Sequence, residues 1–220
     1  MAEPIEEGIF REIDDELRQE QFAKLWKRYG RIFVVGAVLV VTTVAGYKAW
    51  ESYDISNRGQ QGERFAASLR LAQDGNGEAA LDALNIFNSE AGAGYQMLSG
   101  FNAAALMADQ GDDGGAIAAY DKLAGDSSLQ SVYRDLAVLL GAISRLNNGE
   151  DSAALTDRLT PLSASENPWQ HSARELMAVV AQQAGDKAKA RELFKALSED
   201  ATAPQGIRQR AGEMLAALAE

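Results

Sequence analysis

Cysteine is absent from the 220 residues, and histidine occurs once, at His171. The first absence excludes disulfide frameworks, thiolate zinc sites and cysteine nucleophiles; the second leaves Ser-His-Asp chemistry at one position at most. Proline appears four times and aromatics make up 7%, poor material for sandwiches and barrels but suited to closely packed helices rich in Ala and Gly. Cations are outnumbered, 21 Lys and Arg against 32 Asp and Glu, for a net charge of −11. That balance argues against nucleic acid as a partner, because phosphate backbones select basic surfaces. Any catalysis would have to come from carboxylates.

Against this acidic background one segment is apolar. From Ile32 to Trp50 the only charge in nineteen residues is Lys48, whose stem can carry its ammonium to the headgroups. At about 1.5 Å per residue such a helix spans roughly 28 Å, close to the hydrocarbon thickness of a bilayer. Trp26 and Tyr29 precede it, and Tyr47, Trp50 and Tyr53 mark its far end, where aromatic rings settle at membrane interfaces. Six Lys and Arg fall within residues 11–31, including Lys27, Arg28 and Arg31, and three within 48–68. The asymmetry predicts an uncleaved signal-anchor with a cytoplasmic amino terminus and a translocated carboxy-terminal portion. Thr42, Gly46 and Ala49 give the span a narrow face of small residues, but no GxxxG accompanies it. The leader before the span carries eight acids, and Ile9, Phe10, Ile13 and Leu17 fall at helical spacing, which predicts a short amphipathic helix.

Beyond the span, a spacing recurs: Gly75-x4-Ala80, Gly111-x4-Ala116, Gly149-x4-Ala154 and Gly185-x4-Ala190, at offsets of 36, 38 and 36. Seven residues before each glycine stands Ser68, Ala104, Ala142 or Ala178. Helical hairpins demand this pattern: a small residue lets the second helix approach, glycine makes the turn, and alanine begins the second contact. Four residues after the alanines come Leu84, Tyr120, Arg158 and Phe194, and Arg158 breaks an otherwise large and mostly apolar rule. These are the positions of the tetratricopeptide repeat, which the chain resembles over about residues 60–200 as four degenerate units. After Pro204, Ile207, Ala211, Met214, Leu215 and Leu218 predict a further amphipathic helix that caps the stack.

In tetratricopeptide repeats the groove is lined by first-helix positions that here fall on Phe65, Leu69, Phe101, Ala105, Leu139, Ile143, Glu175 and Val179. Most are apolar, so they offer a surface for extended or helical apolar peptides, or else they are core.

Several motifs look chemical without the setting chemistry needs. Gly75-x-Gly77-x-x-Ala80 fits a dinucleotide fingerprint but follows no strand. Asp109-x-Gly111-x-Asp113-Gly114 has the start of a calcium loop, yet its twelfth position is Tyr120. His171 reads as a helix-start or surface residue, and the acidic pairs Asp112-Asp113 and Glu199-Asp200 as solvated loop carboxylates. No catalytic, cofactor or metal site is expected.

Leader, span and repeats together resemble the bacterial family of ancillary subunits of the SecYEG translocon. The likeness is closest at Lys27-Arg28-Tyr29-Gly30-Arg31 and Gly36, at Gly46-Tyr47-Lys48-Ala49-Trp50-Glu51-Ser52, and at Gly185-Asp186-Lys187-Ala188-Lys189-Ala190-Arg191 with Pro204. The resemblance implies a non-enzymatic inner-membrane adaptor whose periplasmic repeats meet a membrane-anchored chaperone of the prolyl-isomerase type or emerging polypeptides. An assembly factor or accessory subunit of a respiratory or cell-envelope complex would use the same parts, whereas a carboxylate hydrolase finds no pair of acids outside the repeat pattern. The expected fold is all-α: leader 1–30, transmembrane helix 31–50, connector 51–59, tetratricopeptide-like α-solenoid 60–203 and capping helix 204–220.

Overall fold

The computed structural model describes residues 3–218, and the side chains of residues 1–22 and of Leu25 lie outside that description, including the apolar face expected at Ile9, Phe10, Ile13 and Leu17. Among the described residues there are nine α-helices, one short 3-10 turn and no strand. In chain order the helices are α1 Glu3–Gln73, α2 Gly77–Glu90, α3 Ala93–Asp109, α4 Asp113–Gly125, α5 Ser131–Asn147, α6 Ser152–Leu159, α7 Gln170–Gln183, α8 Lys187–Glu199 and α9 Gln205–Ala217. The 3-10 turn, Pro161–Ser163, follows α6. Two compact units divide between Gln60 and Gln61, within α1, so residues 51–59 are helical.

Among its described residues the first unit is helix and contributes nothing to the hydrophobic core. An eighteen-residue window within Trp26–Gln73 reaches a mean hydropathy of 1.9, and none of it is buried. The helix is long and apolar enough to cross a membrane. Its two threonine hydroxyls are satisfied internally: Thr42 donates to the carbonyls of Val38 and Leu39 at 2.9 and 3.0 Å, and Thr43 to Leu39 at 2.8 Å. A segment in hydrocarbon needs that economy, because lipid offers no hydrogen-bond partner. Lys48 closes the apolar run with an ion pair to Glu51 at 2.6 Å.

The second unit is built of hairpins made by one repeated turn. Gly75, Gly111, Gly149 and Gly185 have φ of 80°, 81°, 79° and 81°, and these are the only positive-φ residues among those described. At each, the glycine N–H bonds back three residues and the next N–H bonds back five, as Gly111 to Ala108 (3.0 Å) and Asp112 to Met107 (2.9 Å) do. This is the Schellman termination, which satisfies the last carbonyls of the first helix. Asp112, Asp151 and Asp186 then cap the second helices, accepting from Gly115 N–H (2.9 Å), Ala153 N–H (3.0 Å) and Lys189 N–H (2.9 Å). Gly111→Ala is expected to cost about 1–2 kcal/mol in urea unfolding, since a Cβ is disfavoured at left-handed φ even where space is open. Gly125→Ala, at the helical end of α4, should cost nothing comparable.

The small residues seven before each glycine are all in the core, with Ser68 at 3% exposure the most accessible of the four. Counting from each second-helix N-cap, positions +4, +8 and +11 are buried in every hairpin. They are Ala80, Leu84 and Phe87; Ala116, Tyr120 and Leu123; Leu155, Leu159 and Leu162; and Ala190, Phe194 and Leu197. The third hairpin corrects the sequence register. Glu150 is an extra residue between the glycine and the N-cap Asp151, so Leu155 takes the place expected for Ala154, which is half-buried. Leu159 likewise fills the site assigned to Arg158, whose exposed guanidinium reaches Glu150 at 3.4 Å. The apparent breach of the pattern is a one-residue insertion.

Successive helices from α2 to α9 pack on one another, with additional contacts of α5 on α7 and α7 on α9. At the carboxy-terminal end Ile207 and Ala211 of α9 are buried against Ala178, Phe194 and Leu197, with Met214, Leu215 and Leu218 packed alongside. The last turns of α1 join the first hairpin through Phe65, whose ring lies 6.1 Å from Phe87 and 5.8 Å from Tyr95, and through Arg64, which pairs with Glu90 at 2.8 Å.

Candidate functional site

The first-helix positions anticipated as a groove divide into two groups. Phe65 belongs to the aromatic trio with Phe87 and Tyr95, Phe101 lies 6.3 Å from Tyr120, and Leu139 is buried among Ala142, Leu155 and Leu159. These three side chains serve the interhelical core. Ile143 is 43% exposed and Ala105 is open to solvent, with Leu69 and Val179 half-buried. Glu175 is engaged, since its carboxylate accepts a two-pronged hydrogen bond from Arg210 of α9 at 2.7 and 2.8 Å. That bond, with the carboxylate charge, pushes the Arg210 guanidinium up from its ordinary value. Leu98 at 41% and Tyr133 at 37% exposure, on α3 and α5, are large side chains left open that lie outside the first-helix positions expected to line the groove.

A crevice of about 300 Å³ lies between α2, α3 and α4, with Met97, Met107, Leu123 and Leu129 offering apolar walls and Asn85 and Gln96 amide groups. Gly100 makes room for it: a Cβ there would stand 3.1 Å from the Leu123 side chain. Flexible thioethers beside amides suit a chain segment that presents an apolar side chain and a peptide backbone. A signal for it exists in the sequence, two methionines straddling a helical glycine, but the pattern is too common to single out.

Charge inside the repeats is structural. Arg145 of α5 is only 7% exposed, and its guanidinium pairs with Asp121 of α4 at 2.5 Å and with Glu150 at 3.5 Å. Loop carboxylates also accept bonds from neighbouring hydroxyl and backbone N–H groups, and of the paired acids expected to be solvated Asp112 and Asp200 are engaged in this way. Asp126 accepts from the Ser128 hydroxyl at 2.7 Å, and Asp200 from the Thr202 hydroxyl at 2.6 Å, each closing a turn after a second helix. Those hydroxyl bonds and the accompanying backbone bonds hold both carboxyls below the ordinary 3.8. A folded-state value below the unfolded one favours the fold above about pH 4, and the contribution disappears as pH falls through the folded range. Asp126→Asn with Asp200→Asn should therefore lower stability in urea near neutrality and narrow the gap between neutral and acidic conditions. An unchanged gap would exclude these carboxyls as its source.

His171, the second residue of α7, lies 3.7 Å from Asp200 through Nδ1, with Arg174 3.9 Å from the same carboxylate. The preceding Asn167-Pro168-Trp169 staples α7 to α5, with the Asn167 amide donating to Asp135 at 2.8 Å and the Trp169 indole to the Val132 carbonyl at 2.8 Å. Burial first, then the Asp109 carboxylate, pushes the Tyr120 phenol up. Among the described residues no group of three or more His, Asp or Glu side chains could hold a metal ion.

A family model described as a tetratricopeptide repeat-like domain matches residues 23–217. A crystal structure described as a Podosopora anserina kinesin light chain with nearly identical tetratricopeptide-like repeats is similar in fold, with a TM-score of 0.56 at 16% identity. The alignment covers 72% of this chain and 85% of that one. No curated protein matches the sequence significantly.

Proposed function

The chain belongs to the tetratricopeptide repeat-like domain family, and from that premise we propose that it is a membrane-anchored adaptor that works by binding proteins. The observation that carries the reading is the presence in one chain of an apolar helical stretch with no residue buried and four hairpins closed by the same left-handed glycine turn. An unburied apolar run of this length is unstable in water and stable in lipid. Stacked hairpins offer extended surface and little machinery for bond-making, which fits a scaffold and not an enzyme.

More finely, the excess of Lys and Arg before the span supports an amino terminus in the cytoplasm and repeats in the periplasm of a bacterial inner membrane. The resemblance to ancillary SecYEG subunits supports the translocon and a membrane-anchored periplasmic chaperone as partners, with exported polypeptides as clients. Exposed Leu98 and Ile143, with half-buried Leu69 and Val179, supply apolar contact area; the crevice at Met97 and Met107 supplies a second contact. A photo-crosslinking residue at Ile143, in intact membranes, is expected to capture translocon or chaperone subunits, whereas one at Lys195 should not. Capture confined to respiratory or cell-envelope assembly subunits would favour the second reading, an accessory subunit of such a complex. A reporter after the last residue should be exposed outside spheroplasts; a protected reporter would reverse the orientation.

A further inference from the structure

The amino-terminal border of the apolar run contains a notch that the adaptor reading does not use. Gly30 is covered by the Trp26 ring, which lies 3.2 Å from where a Cβ on Gly30 would stand. Lys27 and Arg31, four residues apart and so on one helix face, flank the ring-covered glycine, and Val34 and Val35 continue the groove into the apolar run. Among the described residues neither Lys27 nor Arg31 makes an ion pair, whereas Arg28 is stacked on the Tyr29 ring 5.6 Å from its centroid. Trp26, Lys27, Gly30 and Arg31 follow one another and lead to Val34 and Val35 within about 13 Å of helix, so an aromatic ring and two cations surround the glycine just before the apolar exit.

We propose that this notch binds an anionic phospholipid, its phosphate between Lys27 and Arg31, its glycerol region against Trp26 over Gly30, and its acyl chains along Val34 and Val35. The proposal rests on α1 spanning a bilayer. Charge selects the anionic headgroup: a phosphodiester with a neutral polyol leaves a net negative charge for the two cations, whereas phosphatidylcholine carries its own ammonium. Order along the helix selects a lipid over a soluble phosphate, because the residues turn from cationic to apolar within one helical turn past Arg31. The aromatic ring matches the interfacial depth at which the glycerol backbone lies.

The full-length chain, reconstituted in vesicles of equimolar phosphatidylglycerol and phosphatidylcholine and released for native mass spectrometry, is expected to retain phosphatidylglycerol preferentially. The double variant Lys27→Gln, Arg31→Gln should lose about five-fold in that preference for each cation removed. Gly30→Leu pushes the Trp26 ring off the glycine and leaves both charges intact; it should lower the preference as well, while Lys195→Gln should leave it unchanged. Retention of the two lipids in the bulk ratio overturns the proposal. So does a Gly30→Leu variant with full preference, which would reduce the effect to unlocalised electrostatics. Phosphate exchanged for chloride at equal ionic strength is expected to change nothing; loss of the lipid preference would assign the notch to free phosphate instead. Failure to float with vesicles of either lipid would overturn the span itself and the headgroup site with it.

Discussion

Removing both carboxylate partners of Arg145, by Asp121→Ala with Glu150→Ala, is expected to destabilise the repeats by about 3–5 kcal/mol, because a buried cation is left unpaired. Arg145→Met should cost far less, about 1 kcal/mol or below, since a neutral side chain of similar length occupies the same space. The asymmetry follows from where each group sits. Arg145 is 7% exposed, while Asp121 and Glu150 are 55% and 29% exposed and can be rehydrated when the arginine is gone. Urea unfolding of the full chain in detergent, followed by circular dichroism, reads both variants. Equal losses would mean that the guanidinium contributes attraction beyond its own desolvation.

The second large effect tests the register of the third hairpin. Leu159→Ala is expected to cost about 2–5 kcal/mol and Arg158→Ala within about 0.5 kcal/mol, as befits a fully buried leucine beside an exposed arginine. If the glycine-to-alanine spacing set the core here as it does elsewhere, the order would reverse. Phe194, at the corresponding place in the fourth hairpin, gives the reference: Phe194→Ala should lose about 3–5 kcal/mol.

These two cases mark the limit of what the sequence discloses. The glycine turns were legible because a recurring glycine, a small residue seven earlier and an alanine five later all leave local traces. Glu150 was not, because the glycine count hides an insertion that only the run Leu155, Leu159, Leu162 exposes, at its helical spacing from Asp151. The intended groove divided for a different reason. A first-helix residue such as Phe101 can face outward or reach Tyr120 across the hairpin, and apolar character is the same either way. Arg145 likewise gave no sign of burial, since its partner Asp121 is 24 residues away on another helix. The crevice beside Gly100 needed three helices in place before it could be seen.

The identical turns carry a consequence for how the molecule is made. Every closure at Gly75, Gly111, Gly149 and Gly185 uses partners within five residues, and each rod then rests chiefly on those beside it in the chain. Nothing early has to wait for something late. A polypeptide emerging amino terminus first from a narrow exit could therefore zip up pair by pair, exposing at any moment only the greasy flank of its newest segment. Stalled at any such stage it would still hold a finished front, with one raw end for the next pair, or finally Ile207 and Ala211, to cover.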